Sequence, residues 1–152
     1  MKKAILLLTS FAALLFTTGL GAQNLSELVA PGKKVYVEID DPFAGTDSAM
    51  PSDEYVEIKL GVLEAGSWAE AKTAGEADFV MHISAIKQRD QLVFRTTLTP
   101  SVRTKDGNVL WQGKPVWARG AAVNGFRSTY GATKAMARKC FEKDLFKIAG
   151  RD

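Results

Sequence analysis

The residues able to do chemistry are few in this chain. The only histidine, His82, stands two positions before Ser84, and a hydroxyl beside an imidazole is the minimum for nucleophilic catalysis. Residues two apart in an extended chain are about 7 Å apart, beyond hydrogen-bond reach, so the pair predicts two neighbours on a wet sheet face without a catalytic role. Asp40, Asp41, Asp47, Asp53 and Glu54 gather in one stretch and could offer calcium its oxygen ligands. Their spacing matches no calcium loop, and a solvated loop is expected. One histidine and one cysteine are too few for a zinc site. Cys140 falls on an apolar helical stripe, reads as a small core residue, and has no partner for an internal disulfide. Gly120, Gly125 and Gly131 are too scattered to form a phosphate loop. No catalytic constellation and no cofactor or metal site is therefore expected.

What remains is a set of cations among hydroxyls. Arg95, Arg103 and Lys114, with Thr97, Thr99 and Ser101 between them and His82 nearby, would make a hydrogen-bonding, positively charged surface if they shared one face. The alternation of the chain predicts that they do. Lys34 to Asp40 alternates as a half-buried strand. Phe79–Ile86, Leu92–Lys105 and Asn108–Arg119 read as three antiparallel strands joined at Arg89-Asp90 and at Asp106-Gly107, the second a strong two-residue hairpin signal. In that register Ala85 faces Phe94, Met81 faces Leu98, Val102 faces Trp111, Thr104 faces Val109 and Thr96 faces Trp117, all on one apolar face. The opposite face collects His82, Ser84, Arg95, Thr97, Thr99, Ser101, Arg103, Asn108, Gln112 and Lys114, with Val80, Ile86, Val93, Leu110 and Val116 among them. Val102, Val109 and Trp111 are expected in the core, and Trp68 is the tryptophan expected at the surface.

Two helices must cover the apolar face. One begins at Ser52, carries Val56, Leu60 and Leu63 at helical spacing and stops at Gly66, with a second short helical piece over Ser67–Thr73. The other runs from Tyr130 to Ala149 with Ala137, Cys140, Phe141, Leu145 and Ile148 as its stripe, ended by Gly150. The fold class is α+β: a mixed, mainly antiparallel sheet in the order β-α-β-β-β-α with helices over one face. Asp41 to Met50, rich in Pro, Gly, Asp and Ser, is a loop.

The first residues have a different purpose. Lys2 and Lys3 precede an apolar run from Ala4 to Phe16 and the small residues ending at Ala22. This is the pattern of a cleavable signal peptide over residues 1–22, too short in its apolar part for a membrane span. It holds no cysteine for lipid attachment, so the mature protein is expected to be exported, periplasmic or secreted, and free. Residues 23–33 form a polar lead-in and 34–150 a single domain. Of the formal charge of +3, two units leave with Lys2 and Lys3, which argues against a nucleic-acid partner. The charge is unevenly spread: Gln23 to Asp78 holds 12 acids and 4 bases, Phe79 to Asp152 5 acids and 14 bases. No further segment is apolar enough to be transmembrane.

Three stretches carry a resemblance to a known family. Ala77-Asp78-Phe79-Val80-Met81 resembles the strand start of the curli-secretion lipoprotein superfamily, which includes an activator of penicillin-binding proteins. Lys105-Asp106-Gly107-Asn108-Val109-Leu110-Trp111 is similar to its hairpin, and the alanine-rich start of the last helix also fits. The outline covers residues 34–149. The chain departs from that family in lacking a lipidation cysteine and in having no glycine around His82–Ser84. The resemblance implies an envelope interaction module and no enzyme. The polar sheet face, with Arg95, Arg103, Lys114, Thr97 and His82, is the expected contact surface for an envelope protein partner, not yet identified. A binding site for a small anionic or glycan ligand on the same face is the alternative, and a pocket over Arg95 would favour it.

Overall fold

β-branched and aromatic runs broken by Pro, Gly and Asp set out six strands in the computed structural model, which describes residues 25–121 and 127–151. The segment 1–22, expected to be a signal peptide, lies outside the described residues, as does Gly125. Strands β1 (Lys34–Asp40), β2 (Ala69–Glu70), β3 (Phe79–Asp90), β4 (Val93–Arg103), β5 (Val109–Gln112) and β6 (Val116–Ala121) form one sheet. Its order is β2-β1-β3-β4, with β5 and β6 lying in succession along the far side of β4. β1 runs parallel to β3 and to β2; every other pairing is antiparallel. Helix α1 (Ser52–Gly66) makes the crossover that a parallel β1–β3 pair requires. Helix α2 starts as Ser128–Met136, continues with π-helical bonding over Ala137–Leu145 and closes at Phe146–Ile148. The architecture is the expected α+β arrangement.

The first hairpin turns two residues later than the sequence suggests. β3 and β4 extend to Asp90 and Val93, and the turn is Gln91-Leu92, with Gln91 at φ 53°. Ala85 therefore pairs with Leu98, not Phe94, and Met81 with Val102. The offset is two residues on each strand, so the faces keep their identity and the core still receives Met81, Ile83, Ala85, Leu98 and Val102. The second hairpin has a three-residue loop, Lys105 to Gly107, instead of Asp106-Gly107 alone. Thr104 N–H donates to Asn108 O, and Gly107, at φ 89°, supplies the left-handed residue that such a loop needs. A register shift at Val102/Arg103 follows, and Val109 is 53% exposed instead of buried in the core.

The expected long strand from Asn108 to Arg119 is two strands. Pro115 cannot donate to a ladder; Gly113 N–H still donates to Pro100 O, and the chain then leaves the sheet over Lys114–Pro115 before β6 begins. β6 re-enters one residue out of step: Trp117 pairs with Thr97, not Thr96, while Val116 pairs with Leu98. One residue of slip inverts a strand, so Val116 goes into the core and Trp117 out of it. Trp68 is also reversed from expectation. It is buried, donates from Nε1 to Val29 O, and meets Phe79 and Phe141 edge-on at 5.2 and 5.9 Å. Ala69–Glu70 beside it is a strand on the edge of β1, in place of the expected helical piece. Leu25 and Val29 from the lead-in are also core residues.

α1 buries a different stripe from the one its apolar residues suggest, while α2 buries Cys140, Phe141 and Leu145 as expected and departs from expectation at Ile148. α1 turns Glu54, Ile58, Val62 and Gly66 inward and leaves Val56 and Leu60 exposed. Glu54 can be inward because Lys87 Nζ donates to its Oε1 and Thr129 Oγ1 to its Oε2. Thr96 Oγ1 lies 2.8 Å from Ser128 Oγ and 3.1 Å from Thr129 Oγ1. With the Thr129 proton committed to Glu54, Thr96 donates to Thr129 and accepts from Ser128. The network ties the first turns of both helices to β3 and β4. In α2 the π-helical stretch shifts the inward face, so Phe146 joins Cys140, Phe141 and Leu145 inside and Ile148 is exposed.

Candidate functional site

The described helices pack on one side of the sheet; on the other the pleat decides what is shown, and there Val80 and Ser101 are buried among more exposed neighbours. β1 contributes Tyr36, Glu38 and Asp40; β3 Val80, His82, Ser84 and Ile86; β4 Val93, Arg95, Thr97, Thr99, Ser101 and Arg103. β6 adds Trp117 and Arg119. The predicted residues of β3 and β4 do share this face, but they are not one cluster. Arg95 and Arg103 are at opposite ends of β4, about 26 Å apart at strand rise.

At one end Arg95, Trp117 and Arg119 come together. The Arg95 guanidinium stacks over the Trp117 ring at 4.4 Å from its centroid, and that of Arg119 lies 5.5 Å from it. Arg95 and Arg119 are directly opposite on paired strands, and Thr97 is opposite Trp117. Trp117 is 49% exposed. The Arg95 Nε is buried with no hydrogen-bond partner, and among the described residues no carboxylate comes within 4.0 Å of either guanidinium. Like charges directly across a sheet repel, so the pair is a standing cost on this face.

The other predicted residues are placed separately. Arg103 Nε donates to Ser101 Oγ at 3.2 Å. Lys114 sits in the irregular break between β5 and β6; its carbonyl accepts the Cys140 thiol at 3.3 Å and its side chain is not set by the sheet. Burial pushes the Cys140 thiol pKa up, reinforced by the Asp144 charge. His82 Nε2 is 3.9 Å from Asp40 Oδ2, and His82 stands between Glu38 on β1 and Ser101 on β4. The face is thus graded: carboxylates on β1, guanidiniums on β4 and β6.

The acidic loop after β1 has an internal use. Asp41 accepts from the backbone N–H of Phe43 and Met50 and from the Tyr55 hydroxyl, at 2.9, 2.9 and 2.7 Å. Burial would raise its carboxyl, but the bonds from Met50, Tyr55 and Phe43 outweigh that and hold it below its ordinary value. Burial and the Asp41 contact push the Tyr55 phenol up to about 12. These oxygens close the loop against α1.

On the helical side an open groove of about 1040 Å³ runs between α1 and α2, lined by Val56, Leu60, Tyr130, Arg127, Lys134 and Glu64 among others. A Cβ at Gly61 would come within 2.3 Å of Thr133 Cγ2, so the helices approach closely at that point. The groove does not reach Arg95. Reading the sequence alone misses Trp117 and Arg119, because one strand carried through Pro115 gives both the wrong register. The proline is the available signal.

No protein-family model matches the chain, and no curated protein matches it. Among solved structures its fold is similar to that of a PelC dodecamer from Paraburkholderia phytofirmans, at 18% identity over 72% of this chain and 86% of that one, with a TM-score of 0.51. An uncharacterized lipoprotein B from Nitrosomonas europaea matches at 11% identity, over 79% of this chain and 91% of that one, with a TM-score of 0.47. At such identities the likeness is one of fold.

Proposed function

We propose that this protein is a non-enzymatic interaction module of the bacterial cell envelope that offers its outer sheet face, centred on Arg95, Trp117 and Arg119, to an acidic protein partner. The observation that carries the reading is the like-charged arginine pair around a half-exposed tryptophan, with no carboxylate of the described chain beside it. A carboxylate brought by a partner relieves the repulsion and covers the ring; aromatic and arginine side chains are the residues that dominate such contacts. Trp117 is half exposed on a sheet face, and such a face suits a broad partner better than a small ligand. The signal-peptide pattern of residues 1–22 supports placement in the envelope, and the PelC dodecamer is an example of this fold within a protein assembly.

The test compares the parent with the Arg95→Glu/Arg119→Glu variant in a pull-down from envelope extract. The variant is expected to lose an acidic partner, most clearly at low salt, while its melting temperature stays near the parent's. Arg119→Glu alone, at an exposed position, keeps the test valid should the change at Arg95 disturb the fold. Equal recovery of every partner by parent and variants refutes the reading.

A further inference from the structure

The arginines at one margin of the sheet have a counterpart at the other. Glu38 and Asp40 lie on the same outer face, on β1. Among the described residues the one ion-pair contact of either is that of Asp40 with His82, at 3.9 Å and dependent on imidazole protonation. Among the described residues both margins also end in strand edges without a full partner. β2 covers only the start of β1, pairing with Lys34 and Val35. Lys33 O and Val35 O accept from Ala69 and Ala71 on that side, while Lys34 O accepts from Asp78 on the β3 side. By alternation, Val37 and Ile39 turn their backbone groups outward past the end of β2. At the opposite margin β6 pairs with β4 alone among the described strands.

We infer that the acidic partner is a second copy of this chain: β1 of one copy lies along β6 of the next, extending the sheet and bringing Glu38 and Asp40 against Trp117 and Arg119, with Arg95 one strand behind them. This rests on the reading of the Arg95–Trp117–Arg119 surface given above. The spacing fits, since Glu38 and Asp40 are two residues apart on one face and so are Trp117 and Arg119. Strand addition satisfies the outward N–H and C=O groups of both edges, and the carboxylates neutralise the repelling guanidiniums. The two surfaces differ, so the contact is head to tail. Each copy retains one open edge of each kind, and the contact repeats into a ring or a filament.

Sedimentation velocity on the purified chain over a range of concentrations, at low and at high salt, reads the result. The parent is expected to form multiples of the monomer at low salt and to dissociate as salt rises. Arg95→Glu/Arg119→Glu and, separately, Glu38→Lys/Asp40→Lys should each weaken self-association by at least ~10-fold, because like charges then face each other. Mixing the two variants should restore assembly, since each then supplies the other's missing sign. A parent that stays monomeric at every concentration in low salt overturns the inference, as do variants that assemble like the parent or fail to rescue each other. The single changes Arg119→Glu and Glu38→Lys serve if a double variant does not fold. A monomeric parent that still captures an acidic envelope protein, lost on Arg119→Glu, would sink self-assembly and leave the proposed function standing. A parent that neither self-associates nor loses any partner on reversal would remove both.

Discussion

Replacing Trp111 and Trp117 by alanine, one at a time, separates the core from the outer sheet face. The two are six residues apart in what looks like a single strand, and a continuous strand would put both inside. The break at Lys114–Pro115 makes them opposites. Trp111 is 6% exposed, packs near Phe141 at 6.3 Å and donates from Nε1 to Asp144 Oδ2. Its removal leaves a cavity and an unused acceptor, a loss of roughly 3–5 kcal/mol. Trp117 forfeits about half of its burial and its stacking with Arg95, together on the order of 1–2 kcal/mol. For a domain of this size, roughly 3–6 °C of melting temperature corresponds to each kcal/mol. Thermal melts followed by circular dichroism should therefore show a fall of about 9–30 °C for Trp111→Ala and of about 3–12 °C for Trp117→Ala. Acrylamide should quench the parent's fluorescence chiefly through Trp117, and Trp117→Ala should remove the quenchable fraction. Equal melting losses for the two variants would show that β6 is in step with β5, and the Arg95–Trp117–Arg119 surface would disappear with that result.

Three further outcomes follow from other parts of the fold. Gly107→Val places a β-branched residue at φ 89° and should cost roughly 1–3 kcal/mol in urea unfolding, against a negligible effect for a change at exposed Asn108. Asp41 and Tyr55 give stability with two pH limits. Asp41's part is present above the ordinary carboxylate pKa and lost as pH falls through its lowered value; Tyr55's part is present below about 10 and lost as pH rises toward about 12. Tyr55→Phe should cost roughly 1–2 kcal/mol near neutrality and flatten the alkaline limb of the stability profile. N-terminal sequencing of the native protein should begin near Gln23; a sequence starting at Met1 would refute export by cleavage.

Parity is the legible part of the sheet. The β3–β4 turn is displaced by an even number of positions in all, so alternation assigns His82, Arg95, Thr97 and Arg103 to the correct face despite the wrong partners. Trp117 is lost to a single residue of slip, which alternation alone cannot detect once Pro115 is overlooked. The helices fail differently. Val56 and Leu60 are more apolar than Glu54, and nothing within α1 tells that Lys87 and Thr129, 33 and 75 residues away, wait to satisfy a carboxylate. Periodicity sees one element at a time, and this choice depends on three. Trp68 looks exposed for the same reason: its acceptor, Val29 O, belongs to a segment that reads as a polar lead-in.

The Glu54–Lys87–Thr129–Thr96–Ser128 network has a consequence for uniqueness rather than for strength. An apolar helix face on an apolar sheet has several near-equal seatings, because hydrophobic contact is non-directional. Val56 and Leu60 offer α1 such an alternative, one partial rotation away from Ile58 and Val62. Taking it would withdraw Glu54 from Lys87 and leave a mostly buried ammonium without its counter-ion, which interiors tolerate poorly. The charge pair therefore acts as a key that admits one rotation of α1, and through Thr129 one axial position of α2. A protein with leucine at both positions 54 and 87 could keep its thermal stability and lose that discrimination, its two helices sampling several seatings over an unchanged sheet.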